Sequence, residues 1–191
     1  MTMLEKKFNK KEAISLISKT LRPVLRRKKF RDYMTSADFK KSRKRNELIK
    51  ELVSTEESYV QSLRLLMNNY FKVVKQNTAL LSEKKAKVMF SNMEQILSIN
   101  ETVLTELQTA LGKWPSKNEL GETFSRMAPF LKAYVTYINN YGAAFDLFDK
   151  CEKKNNKFNR YCNEQIALYP TNPGFQSLLI QPVQRIPRYK M

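Results

Sequence analysis

From Leu48 to Val73 the apolar side chains Leu48, Leu52, Tyr59, Leu63, Leu66, Tyr70 and Val73 recur at spacings of four, seven, four, three, four and three. That rhythm is one face of a long helix, predicted from about Ser42 to Gln76. A stripe of this kind exists to be buried, so the chain must supply other helices to cover it. A second stripe, Met89, Met93, Ile96, Val103, Leu104, Leu107 and Leu111, predicts a helix over about Glu83 to Leu111, with Ser82 as its cap and Gly112 and Pro115 marking its end. Leu120 to Arg126 reads as a short helix. A third pattern, Leu131, Tyr134, Tyr137, Ile138, Tyr141, Phe145, Phe148, Phe158 and Tyr161, runs over about Phe130 to Glu164 until LYPTNPGF at 168–175 breaks it. A last helix starts near Gln176. The prediction is an all-α, elongated antiparallel helical bundle.

Only four glycines and seven prolines occur in the 191 residues, which leaves little turn chemistry for repeated hairpins or nucleotide-cradling loops. With 42% apolar residues the chain can bury a core of one main domain. No stretch approaches about 18 continuous apolar residues and the start MTMLEKKFNKKE has no signal-peptide core, so the expected location is cytoplasmic. Histidine is absent, which removes Ser-His and Cys-His machinery and the commonest metal ligand. Cys151 and Cys162 stand eleven apart, matching neither a redox pair nor a zinc ligand set, and read as reduced thiols.

Two separated blocks carry a more specific signal. LLIQPVQRIPRYKM at 178–191 joins an apolar segment to a basic, proline-bearing pattern, and ELVSTEESYVQSL at 51–63 sits in the predicted first helix. Together they resemble the third and first conserved regions of the Dbl-homology domain, the module of guanine nucleotide exchange factors for Rho-type GTPases. The resemblance continues through VMFSNMEQILSIN at 88–100, GETFSRMAPFLKAYVTYINNYGAAF at 121–145 and the spacing of Asn155, Phe158 and Glu164, covering about Arg45 to Met191. It implies an oblong bundle whose first and third regions lie side by side as the GTPase-binding face.

By that resemblance Thr55 and Glu56 take the places of the family's TE pair, whose glutamate contacts the first switch segment of the GTPase. A carboxylate there can accept hydrogen bonds from backbone N–H groups and hydroxyls of a loop held away from the nucleotide. The alternative for Glu56 is a solvated carboxylate paired with Arg64 or Lys50, and Tyr59 reads as core. In QPVQRIPRYK, the family pattern places Gln184 and Arg188 toward the GTPase, with Lys190 on the same short helix, while Arg185 reads as a structural ion pair inside the bundle. The resemblance implies a Rho/Rac-type small GTPase as partner and no cofactor, the magnesium belonging to the GTPase.

Family members continue past the PRY segment into a further long helix that adds GTPase contacts, and commonly into a pleckstrin-homology domain. From that departure the expectation is a domain at 42–191 lacking its last helix, weak or absent exchange by residues 1–191 alone, and an uncovered apolar strip on the Phe130–Glu164 region and the first helix that favours self-association.

The formal net charge of +17 is concentrated early: residues 1–50 hold seventeen Lys or Arg against five acids, a net of +12, leaving +5 for the rest. Residues 1–41 therefore read as a basic arm that can meet anionic membrane, an acidic protein or nucleic acid. Within it, ISKTLRPVLRRKKF at 17–30 has IQ-like spacing in Ile17, Arg22, Arg27 and Phe30, but Ser18 and Pro23 replace the pattern's glutamine and glycine. A calmodulin-like partner, recruitment to anionic lipid through RRKKFR at 26–31, and a basic helical nucleic-acid binder with KKSRKR at 40–45 are the rival readings, together with a scaffold that kept the bundle and lost exchange. Nucleic acid is the disfavoured partner; binding to it would depend on the arm and fall steeply with salt, whereas exchange would depend on Glu56 and Arg188.

Overall fold

A computed structural model describes residues 10–115, 119–154, 156–169 and 171–189. Asn155, Lys190 and the side chain of Ile17, each part of a sequence expectation, lie outside the described residues. All regular structure among the described residues is helical. The chain divides into two compact units, Met1–Ile49 and Lys50–Met191.

In the first unit α1 (Lys10–Thr35) continues through Pro23, whose missing N–H leaves one carbonyl of the preceding turn without its helical donor. Ser36 then ends one helix and starts the next. Its hydroxyl accepts from the Phe39 N–H at 3.1 Å, the bond that satisfies a free donor at the start of α2 (Ala37–Leu66).

The predicted helix to Gln76 is present as α2, a wide turn at Met67–Phe71 with π-type bonding, and α3 (Lys72–Gln76). Tyr59, Leu63, Leu66 and Tyr70 are buried as the stripe requires, whereas Leu48 is exposed. The next predicted helix is instead two, α4 (Glu83–Phe90) and α5 (Met93–Lys113), broken at Ser91, whose φ is +47°. The reason is tertiary. Asn92 reaches across to donate to the Ala133 carbonyl at 3.0 Å, and the bend lets Met89, Phe90 and Met93 all enter the core. Ser82 stands at the start of α4, but its hydroxyl makes no capping bond.

After α6 (Leu120–Met127) and a 3-10 turn at Ala128–Lys132, the third pattern also divides, into α7 (Ala133–Lys153) and α8 (Lys157–Leu168). Asn156 caps α8 by accepting from the Asn159 N–H at 2.9 Å, a local bond that periodicity does not report. The break LYPTNPGF is held from within: Asn172 donates to the Tyr70 hydroxyl at 2.8 Å and accepts from the Gly174 N–H at 3.0 Å. Gly174 has φ +85° with Ile166 only 3.2 Å from where a Cβ would sit, so glycine is required. The chain ends in α9 (Phe175–Leu179) and α10 (Gln181–Arg188), where Pro182 lies in the first turn and is tolerated.

Within the second unit α7 is the hub, packing on α4, α5, α8 and α10. One core gathers Tyr70, Phe90, Phe148, Phe158 and Phe175 edge to face, and a second joins Val53, Val60, Val103, Leu104, Leu107 and Met127. Cys151 and Cys162 are buried free thiols, and burial pushes the Cys162 thiol well up. Not every apolar member of the third pattern is covered. Ile138 and Phe145 are exposed, and with Phe130 and Val135 they leave apolar surface in water.

Candidate functional site

Residues one turn apart on a helix share a face, so α10 presents Gln184 and Arg188 together to solvent while Arg185 turns inward. The Arg188 Nη2 lies 3.5 Å from Gln184 Oε1. Opposite them α2 presents Thr55, Ser58 and Ser62. These residues, with Tyr59, Ser177, Gln181 and Arg185, line one open groove of about 300 Å³. The early acidic block and the late proline-bounded block therefore meet along a single polar cleft, as the resemblance implied.

Glu56 belongs to this region but does not face the groove. Its side chain is 0% exposed and its Oε2 accepts from Arg185 Nε at 3.1 Å, from Arg185 Nη2, and from the Tyr189 hydroxyl at 2.7 Å. The solvated carboxylate paired with Arg64 is not what forms; Arg64 pairs with Glu101 at 2.8 Å. The guanidinium of Arg185 also lies over the rings of Tyr189 and Tyr59, 4.6 and 5.4 Å from their centroids. Arg185 is thus the internal ion pair expected of it, and its partner is the residue expected to reach outward.

Behind the pair a hydroxyl and amide chain crosses the bundle. Asn100 on α5 donates to the Tyr134 hydroxyl on α7 at 2.7 Å, Tyr134 and Tyr59 share a 3.0 Å bond, and Tyr189 stands 3.4 Å from Asn100 Oδ1. Burial opposes the Arg185 charge, but Glu56 and Tyr189 more than offset it. Burial raises Tyr189 far above the ordinary phenol, with Glu56 adding to it, and Tyr134 is pushed up to about 12, mainly by burial. At neutral pH these phenols stay protonated, so Tyr189 can donate to the carboxylate. A charge pair this dry is held by geometry and by its extra donors.

Tyr189, Asn100 and Tyr134 did not stand out in the sequence. Asn100 left a readable trace, an amide within the stripe Ile96, Val103, Leu107 where apolar residues are wanted. Such a polar group on a buried face needs a partner across the core. Tyr134 matched the core pattern and hid its hydroxyl's role.

Comparison with known proteins places this architecture. The RhoGEF domain profile matches residues 48–191. Among curated proteins, the chain is 32% identical over 157 residues to the guanine exchange factor for Rac 30 of Dictyostelium discoideum, covering 76% of this chain and 9% of that protein. It is 32% identical over 184 residues to the Rac guanine nucleotide exchange factor JJ of the same organism, covering 92% and 15%. The human FYVE, RhoGEF and PH domain-containing protein 2 is 30% identical over 149 residues, 75% of this chain and 23% of that one. The chain therefore spans a small part of each relative's length. Two solved structures of the Vav1 exchange factor share the fold: TM-score 0.67 at 22% identity over 74% of this chain and 38% of that one, and TM-score 0.70 at 20% identity over 84% and 40%.

Proposed function

The chain belongs to the RhoGEF domain family, and on that footing we propose that it acts as a guanine nucleotide exchange factor for Rho/Rac-type small GTPases through the groove between α2 and α10. The observation that carries the reading is that the two blocks most specific to the family, 51–63 and 178–191, line one polar cleft in which Gln184 and Arg188 are exposed. Arg suits such a surface because its planar fork can meet carbonyls or carboxylates of a switch loop with several directed bonds.

The work is done by binding, without a covalent step on the factor. A surface that holds nucleotide-free GTPase more tightly than the loaded form must weaken nucleotide by the same factor. Each preference of roughly 1.4 kcal/mol is tenfold. Gln184 and Arg188 make the first contact in this reading. Glu56 follows only after the Arg185 and Tyr189 side chains withdraw from its carboxylate, since in the resting arrangement no oxygen of Glu56 reaches solvent. Binding titrations with a panel of Rho-type GTPases, nucleotide-free and GDP-loaded, test this directly. At least tenfold tighter binding of the nucleotide-free form is expected. Equal affinity for both forms refutes exchange by this mechanism.

The exposed Phe130, Val135, Ile138 and Phe145 support a further element of the reading, concentration-dependent self-association of residues 1–191. Light scattering across a dilution series should show mass rising with concentration; a constant monomer mass disproves it. The reading places the protein in the cytoplasm, and the basic arm would add attraction to anionic membrane.

A further inference from the structure

The exchange reading leaves α1 unexplained. A helix that is polar all round, or apolar along one stripe, is the ordinary outcome for an arm of this length. α1 is neither. Leu21, Val24 and Leu25 are 48, 56 and 53% exposed, and Phe30, Tyr33 and Met34 are 64, 55 and 39% exposed. At about 100° per residue the first three fall within about 100° of arc, while Phe30 and Met34 lie on the far side of the helix. The two clusters are centred roughly nine residues apart, or about 14 Å along the axis. Around them stand Arg22, Arg26, Arg27, Lys28, Lys29 and Arg31 against the single acid Asp32.

Three kinds of partner meet basic helices, and the arrangement separates them. A membrane surface buries one face, so a helix lying on it needs its apolar residues in one stripe and would strand one of these clusters in water. A nucleic-acid backbone is satisfied by the six cations and gives no reason to leave six large apolar or aromatic side chains exposed. A protein that wraps the helix, with acidic rims and an apolar cleft on each side, uses both clusters and the charge between them. Clefts of that type, lined by methionine, open in EF-hand sensors when calcium binds. The IQ-like spacing of Arg22, Arg27 and Phe30 falls within the same segment, although Ser18 and Pro23 depart from it.

We propose that Leu21–Met34 of α1 is a docking helix for an acidic protein with two apolar clefts of the calcium-opened EF-hand type, one cleft taking Leu21, Val24 and Leu25 and the other Phe30 and Met34. Calcium would then act on the arm, separately from the groove between α2 and α10. The proposal therefore stands or falls independently of the exchange reading.

The probe is labelled calmodulin titrated with the full 191-residue chain, with calcium and with chelator, followed by fluorescence anisotropy. Saturable binding in calcium, at least tenfold weaker in chelator, is expected. Leu25→Gln and Phe30→Gln keep the charge and remain good helix positions, and both side chains are exposed, so circular dichroism should be unchanged while each weakens binding at least tenfold. Binding that is absent, equal in chelator, or weakened by only one of the two substitutions overturns the two-cleft arrangement. So does binding that both variants retain and salt abolishes, or a preference of the arm for phosphatidylserine vesicles or duplex DNA over calmodulin.

Discussion

Replacing Arg185 with alanine is expected to destabilise the second unit by about 3–5 kcal/mol, read as a lower urea midpoint with unchanged slope. The size follows from what stays behind. Glu56 is wholly buried and takes all its described donors on one oxygen, two of them from Arg185. With the guanidinium gone, only the Tyr189 hydroxyl would face that charge. Removing both charges with shape kept, Glu56→Leu with Arg185→Met, should cost far less than the single change, because the desolvation burden disappears along with the attraction. The difference between the double change and the sum of the singles is the coupling, expected to exceed about 2 kcal/mol. A loss under about 1 kcal/mol for Arg185→Ala would show that the pair is not dry in solution, and the inward orientation of Glu56 would fall with it.

Gln184→Ala combined with Arg188→Ala should behave in the opposite way. Both side chains are exposed and bond only weakly to each other, so stability should stay within about 0.5 kcal/mol. An arginine at the centre of a docking surface, however, commonly contributes about 2 kcal/mol or more, so affinity for nucleotide-free GTPase should fall about thirtyfold or further, with nucleotide release slowed alongside. Arg188→Lys should recover only part of the loss, since an ammonium cannot reproduce the planar fork. Wild-type affinity in the double variant would remove the α2–α10 groove from the reading. Glu56→Ala is the less clean test, because it lowers stability and binding together; Glu56→Gln, compared at equal folded fraction, separates the two.

Periodicity alone was enough for the helical class and for most of the buried stripe, because a helix face is a local, repeating property: Tyr59, Leu63, Leu66 and Tyr70 are where spacing puts them. It failed at Ser91 and near Asn156, where the expected long helices divide. There the outcome rests on single polar bonds, Asn92 to Ala133 and Asn156 to Asn159, and a hydrophobic pattern that continues across a break gives no sign of them. Ile138 and Phe145 mark the other limit. Their spacing fits a core face, but whether a face is covered depends on what packs over it.

The site divides along the same line. Residue order already contained the two family blocks, the basic character of the arm and the pattern QPVQRIPRYK that carries Gln184, Arg185 and Arg188, since each depends only on neighbours in the chain. Whether Glu56 meets solvent was settled by packing. The turn of α10 sends Arg185 inward and Arg188 outward; Arg185 and Tyr189 bond to Glu56 from positions up to 133 residues away, and Asn100 and Tyr134 are linked behind them through Tyr189. A carboxylate's exposure is a property of everything around it, so only the folded bundle could turn an expected surface contact into the centre of a buried ion pair.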